Sequence, residues 1–168
     1  MSVSSDRREL VIGTRSSTLA RWQAEYVRDR LEEAGRSARL EEITTTGDQV
    51  QDVPLSRIGQ KSVFTKELDL ALLEGQIDCA VHSLKDLPTR LPEGLRIAAI
   101  GARETPWDVL VAGPSFEGAI RDLPEGAVLA TSSLRRQAQL LAWRPDLSVE
   151  PVRGNVDTRL EKLRDRGW

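Results

Sequence analysis

Short apolar runs and apolar positions spaced three or four apart take turns along this chain. Leu10-Val11-Ile12-Gly13-Thr14 is a run of the kind that forms a buried strand, and Leu19, Trp22, Tyr26 or Val27, and Leu31 then recur at helical spacing as far as Gly35. Leu40 to Thr46, with β-branched Ile43, Thr44, Thr45 and Thr46, predicts a second strand, and the segment from Gly47 to Ile58 reads as loop. Phe64, Leu68, Ala71 and Leu72 mark a second helix that Gly75 closes, and Ile77 to His82 predicts a strand. Pro88 and Pro92 interrupt regular structure after it, and Leu95–Ile100 and Val109–Ala112 are further strand candidates. Ala127–Thr131 and Leu147–Val152 read as strands, each leading into a helix, one through Leu134, Ala138 and Leu141 and one through Val156, Leu160 and Leu163. Strands alternating with helices predict an α/β fold with mainly parallel sheets. The polar stretch Ala102-Arg103-Glu104-Thr105-Pro106 marks a crossover between two domains, 1–103 and 104–168.

Charge and composition narrow the function. The formal net charge of -2 argues against a general nucleic-acid binder. A single cysteine cannot form an internal disulfide, the first ten residues carry no apolar signal region, and no apolar run is long enough to span a membrane. The expectation is a soluble cytoplasmic protein with no membrane partner. Gly167 should end the last helix, and only Trp168 comes after it, so the chain reads as truncated inside its second domain.

Three strand-to-helix junctions share one chemistry: Thr14-Arg15-Ser16-Ser17, Thr131-Ser132-Ser133-Leu134-Arg135-Arg136, and Arg153-Gly154-Asn155-Val156-Asp157-Thr158-Arg159. Each combines capping groups, free backbone N–H donors and the positive end of a helix dipole with arginine, whose fork grips carboxylate or phosphate. Taken singly, each is adequately read as a helix cap beside solvated arginines. Together they suggest a ligand with several separated negative groups. No glycine-rich phosphate loop is present, so carboxylates are as well supported as phosphates.

Cys79-Ala80-Val81-His82-Ser83-Leu84-Lys85-Asp86-Leu87-Pro88 holds the only cysteine and the only histidine. On a strand, an offset of three puts Cys79 and His82 on opposite faces, and two ligands do not make a zinc set, so no metal is expected. Cys79 is expected in packing and His82 as a structural hydrogen-bonding group at the strand end. Lys85 and Asp86 come directly after the strand, where a loop can face a cleft. There a carboxylate can stabilise a cation or pass protons, although the dipeptide alone equally describes a surface ion pair.

Together these motifs make the chain resemble the hydroxymethylbilane synthase, or porphobilinogen deaminase, family from Leu10 to Gly167. The resemblance implies a transferase of tetrapyrrole (porphyrin and heme) biosynthesis that joins four porphobilinogen molecules, releases ammonia at each step, and extends an oligopyrrole primed by a covalent dipyrromethane cofactor. It implies a periplasmic-binding-protein-like architecture of two α/β domains and a small third one, in an enzyme that is usually monomeric. On this chain the second domain would be incomplete and the third absent. Asp86 matches the catalytic carboxylate, with Lys85 beside it. Arg15, Ser17, Ser83, Lys85, Asp86, Thr131, Ser132, Ser133, Arg135, Arg136, Arg153, Gly154 and Arg159 match cofactor- or substrate-binding positions, and Gln23, Asp48, Phe64 and Lys66 match an active-site helix and loop. Two departures stand out. The family's anchoring cysteine belongs to the third domain and Cys79 does not match it, so this chain by itself is expected to turn over little. Ser62 replaces a common glycine in the loop. The alternative is a non-catalytic small-anion-binding module of the same fold.

Overall fold

A computed structural model describes residues 8–49 and 63–166. Ser62, most of the segment read as loop, and the stop expected at Gly167 lie outside the described residues. The chain divides into two compact units, Met1–Ile100 and Gly101–Trp168.

The first unit is built on strand β1 (Leu10–Thr14), which lies between β2 (Ala38–Glu42) and β3 (Cys79–Ala80) in a wholly parallel sheet. Leu10 pairs with Ala38 through Thr14 with Glu42 on one side, and Ile12 pairs with Cys79 on the other. A central parallel strand is covered on both faces, which is why β1 is a continuous apolar run. Alternation sends Ile12 to one face, where it packs with Ala24 of helix α1 (Thr18–Glu33), Ala38 and the half-buried Val27 and Leu31. Val11 goes to the other face, against Leu68 and Ala71 of helix α3 (Lys66–Leu73) and Ile77. Ser17 caps α1, its hydroxyl accepting from the Ala20 N–H at 3.4 Å, and Gly35 ends it at φ 74°. One short helical turn, α2 (Thr46–Gln49), stands where loop was expected after β2.

The second unit holds a two-stranded parallel sheet, β4 (Val128–Ala130) beside β5 (Ser148–Glu150), with helices α4 (Leu134–Trp143) and α5 (Val156–Arg166). Its buried apolar residues among those described are Leu147 and Val152. Arg144 pegs the segment before β4. Its guanidinium donates to the carbonyls of Ile120 (3.0 Å), Arg121 (3.2 Å) and Leu123 (3.1 Å), and pairs with Asp146 at 2.5 Å. That pairing drops the Asp146 carboxyl to about 2.

The mixed α/β class with parallel sheets matches the sequence pattern, and several boundaries do not. The second strand ends at Glu42, and Thr46 opens a helix instead of closing a strand. The third strand shortens to Cys79–Ala80. Leu95–Ile100 and Val109–Ala112 form no strand. Ile100 is 76% exposed and Val109 81% exposed: among the described residues these strand-type side chains find no face to bury against and no strand to pair with. Among the described residues no helix is long and apolar enough to cross a membrane.

Candidate functional site

In the first unit, Arg15 leaves the carboxyl end of β1, the end at which ligands bind in parallel α/β sheets. Its Nε donates to both oxygens of Asp48, at 3.2 and 3.1 Å, and its Nη2 donates to Asp48 Oδ1 as well. Phe64 lies against the same guanidinium, 4.3 Å from ring centroid to Cζ, within cation–π range. The remaining amino group, Nη1, stands 3.7 Å from Asp86 Oδ2. All three charged side chains are largely buried, with 17%, 20% and 22% exposure for Arg15, Asp48 and Asp86.

The backbone explains the clustering. Thr46 donates from its N–H (3.0 Å) and its hydroxyl (2.6 Å) to Glu67, and Gly47 N–H donates to the Val63 carbonyl at 2.8 Å. These bonds pin α2 to the start of α3, bringing Asp48 and Phe64 to Arg15 together. Gly47 is required there, because a Cβ would run into the Phe64 ring. Thr45, fully buried, donates from its hydroxyl to Asp48 at 2.7 Å. Burial pushes the Asp48 carboxyl up, but hydrogen bonds from Arg15 and Thr45 outweigh it and hold the group below the usual carboxylate range.

Asp86 and Lys85 sit on a single 3-10 turn, Leu84–Asp86, closed by the Asp86 N–H donating to the Ser83 carbonyl at 2.9 Å. Ser83 donates to Gln23 of α1 at 2.9 Å, tying this turn to the helix that comes after Arg15. Lys85 is exposed, as is Lys66 at the start of α3. Cys79 and Val81 pack on the α1 face and Ala80 on the other, as strand alternation requires, and burial raises the Cys79 thiol. His82 differs from expectation: its Nε2 is buried and meets no hydrogen-bond partner among the described residues. Burial lowers its pKa.

The second unit gathers a different set at the carboxyl ends of β4 and β5. Thr131 extends the ladder, its N–H donating to the Glu150 carbonyl at 2.8 Å, and its hydroxyl accepts from the Ser133 N–H at 3.2 Å. Ser132 donates to the Val152 carbonyl at 2.7 Å, and Ser133 caps α4 by accepting from the Arg136 N–H at 3.4 Å. Asn155 caps α5, accepting from the Thr158 N–H and hydroxyl at 2.9 Å each. Gly154, at φ 114°, leaves the space a Cβ would take from Thr158, and its carbonyl accepts from Arg159 Nε at 2.9 Å. Burial, then the charges of Arg136 and Arg153, lowers the Arg159 pKa. Cations are therefore crowded here. Asp108 partly answers them, accepting from Arg136 at 2.6 Å and Arg135 at 3.5 Å.

Two of these residues carried no signal in the sequence. Thr45 lay inside a β-branched run that looked like strand, and Asp108 stood in a non-periodic segment after Pro106 with no motif to mark it.

Residues 10–168 match the family model described as "Porphobilinogen deaminase, dipyromethane cofactor binding domain". The chain belongs to the porphobilinogen deaminase family. Curated porphobilinogen deaminases similar to it include that of Desulforudis audaxviator, 57% identical over 94% of this chain and 51% of the relative. Those of Moorella thermoacetica and Syntrophomonas wolfei are 55% and 52% identical over 95% of this chain. The chain thus spans about half the length of the porphobilinogen deaminases it matches. The domain matched is the one that binds a dipyrromethane cofactor in this family.

Proposed function

We propose that this chain supplies the cofactor-binding and catalytic part of a hydroxymethylbilane synthase, with porphobilinogen and the growing oligopyrrole as its ligands. The observation that carries this reading is the Asp86 carboxylate, partly exposed at 22% and set 3.7 Å from the Arg15 guanidinium at the carboxyl end of a parallel sheet. In this reading a domain of 1–103, within which the first unit lies, carries the chemistry, and a domain that begins near 104, within which most of the second unit lies, binds.

The donor set fits the ligand class. Dipyrromethane and porphobilinogen carry acetate and propionate groups, and Arg135, Arg136, Arg153 and Arg159 offer planar forks to such carboxylates. The lowered Arg159 pKa supports this, because crowded cations gain when an anion arrives. Ser132 and Ser133 hydroxyls, the Thr131 hydroxyl and the N–H groups around Gly154 add neutral donors, and Lys85 and Lys66 add exposed cations beside the first-unit cluster. When bound, dipyrromethane would supply the pyrrole carbon to which the first unit is joined, each later unit being joined to the ring added before it. Asp86 accepts hydrogen bonds from pyrrole N–H groups and offsets the positive charge that grows on porphobilinogen as its amine leaves as ammonia. Ser83 and Gln23 hold the turn that carries Asp86.

The test uses the protein at its native length, incubated with porphobilinogen. Asp86→Asn should lower turnover by at least about a hundredfold, the scale of one lost charge-stabilising group, while leaving the mass of bound dipyrromethane in place. Unchanged turnover would sink the role given to Asp86. Binding of porphobilinogen without any release of ammonia by the unsubstituted protein would favour an anion-binding module instead. The 168-residue chain alone should show little turnover, since its one cysteine is half-buried in β3 with a raised pKa.

A further inference from the structure

We infer that Asp48 is a positioning residue: by holding the Nε–Nη2 edge of Arg15, it fixes which edge of that guanidinium faces Asp86. The inference rests on the catalytic reading of Asp86 proposed for this site, and it assigns Asp48 and Phe64 a specific task within it.

The geometry is over-determined. Arginine has five N–H donors in a rigid planar fork, so fixing one edge and one face fixes the rest. Asp48 takes the Nε–Nη2 edge with three hydrogen bonds. Phe64 covers a face at 4.3 Å. The Nη1–Nη2 end of the fork remains, and its Nη1 stands 3.7 Å from Asp86, close enough for charge attraction and too long for a direct hydrogen bond. Asp86 therefore feels a fixed positive charge while keeping its lone pairs available to a ligand. A free arginine side chain would close on Asp86 in a bidentate pair and compete with pyrrole N–H donors.

Asp48 is itself held. The Thr45 hydroxyl and N–H donate to its Oδ2 at 2.7 and 3.4 Å, and α2 is tied to α3 through Thr46 and Glu67. The pair is partly exposed, and its arrangement is kept chiefly by the number of hydrogen bonds that converge on it. The resemblance places Arg15 among cofactor- or substrate-binding positions, and its Nε–Nη2 edge already grips a carboxylate of the chain.

The experiment compares the unsubstituted protein with Asp48→Asn and Asp48→Glu at native length. The first readout is the solvent exchange of the Arg15 Nε–H proton by NMR, assigned by its loss in Arg15→Gln. The second is kcat and KM for porphobilinogen. Asp48→Asn should expose the Nε–H to exchange and lower kcat about tenfold with KM little changed, the cost of a misplaced group near the chemistry. Asp48→Glu, which keeps the carboxylate, should recover part of both. Unchanged exchange in Asp48→Asn overturns the inference, and so does faster exchange with full kcat. If the unsubstituted protein releases no ammonia from porphobilinogen, the proposed function fails instead, and the exchange readout alone decides whether Asp48 holds Arg15.

Discussion

The two units place arginine at the same kind of position, after a parallel strand and before a helix, and use it in opposite ways. In the first, one arginine meets two aspartates and an aromatic ring, and its charge is compensated inside the unit. In the second, Arg135 and Arg136 share a single aspartate, Asp108, and the charges of Arg136 and Arg153 help to lower the pKa of Arg159. A compensated cluster has a fixed geometry and little appetite for further anions. A cluster of crowded cations has an appetite for anions and a looser geometry. The first suits a site where charge develops during reaction, and the second suits a site that holds charge already present.

The units differ in their cores as well, which gives the largest test of the comparison. Leu68 is fully buried between β1 and Ile77, so Leu68→Ala should cost about 3 kcal/mol, as for other buried leucines cut to alanine. Leu147 anchors a thinner interior, where the surroundings collapse more readily, and Leu147→Ala should cost less. Urea unfolding followed by amide signals of β1 and of β4 separately would measure both. An equal loss in the two units would show that their packing is not as different as their burial.

The electrostatic half of the comparison predicts a split in kinetics. Arg136→Gln and Arg159→Gln should each weaken binding of porphobilinogen about tenfold, roughly 1.4 kcal/mol, the scale of one charge-assisted fork. They should raise KM and spare kcat. Arg15→Gln should do the reverse, because it removes a charge that acts on Asp86 rather than a contact to substrate. Raising salt should weaken binding through Arg135 and Arg136, which are more exposed, more than it alters the Arg15 cluster, which is less so. If all three substitutions move KM alone, the division between a reacting unit and a holding unit is wrong.

How much could be seen in the sequence depends on range. β1, α1, α4 and α5 carried their own signals: a buried run, helical spacing, and Ser17, Ser133 or Asn155 as caps. The arginine-bearing junctions were legible for the same reason, since capping and charge sit within a few residues of each other. The contacts of the Arg15–Asp48–Phe64 cluster were not, although the resemblance singled out each member, because they are brought together by the α2–α3 contact, and Thr46 donating to Glu67 leaves no periodic trace. The strands expected at Leu95–Ile100 and Val109–Ala112 failed for the complementary reason. Apolar and β-branched residues mark a segment able to pair, and pairing also requires a neighbour.

The smallest effect is the one that pH draws from Asp48. Its folded carboxyl lies below its ordinary value of 3.8, because Arg15 and Thr45 outweigh burial. A depressed carboxyl adds stability that is fully present above the unfolded value and is lost as pH falls through the folded one. Between pH 7 and 5 the first unit should therefore show no change from this group. Below about pH 4 it should weaken progressively as Asp48 takes a proton and releases Arg15. Partial exposure of the pair keeps the change modest, since solvent screens it. Hydrogen exchange of β1 amides across this range would track the first unit alone, and Asp48→Asn should remove the acid-dependent part while lowering protection at neutral pH. An acid response that survives Asp48→Asn unchanged would assign it to other carboxylates and would remove pH as a handle on the compensated cluster.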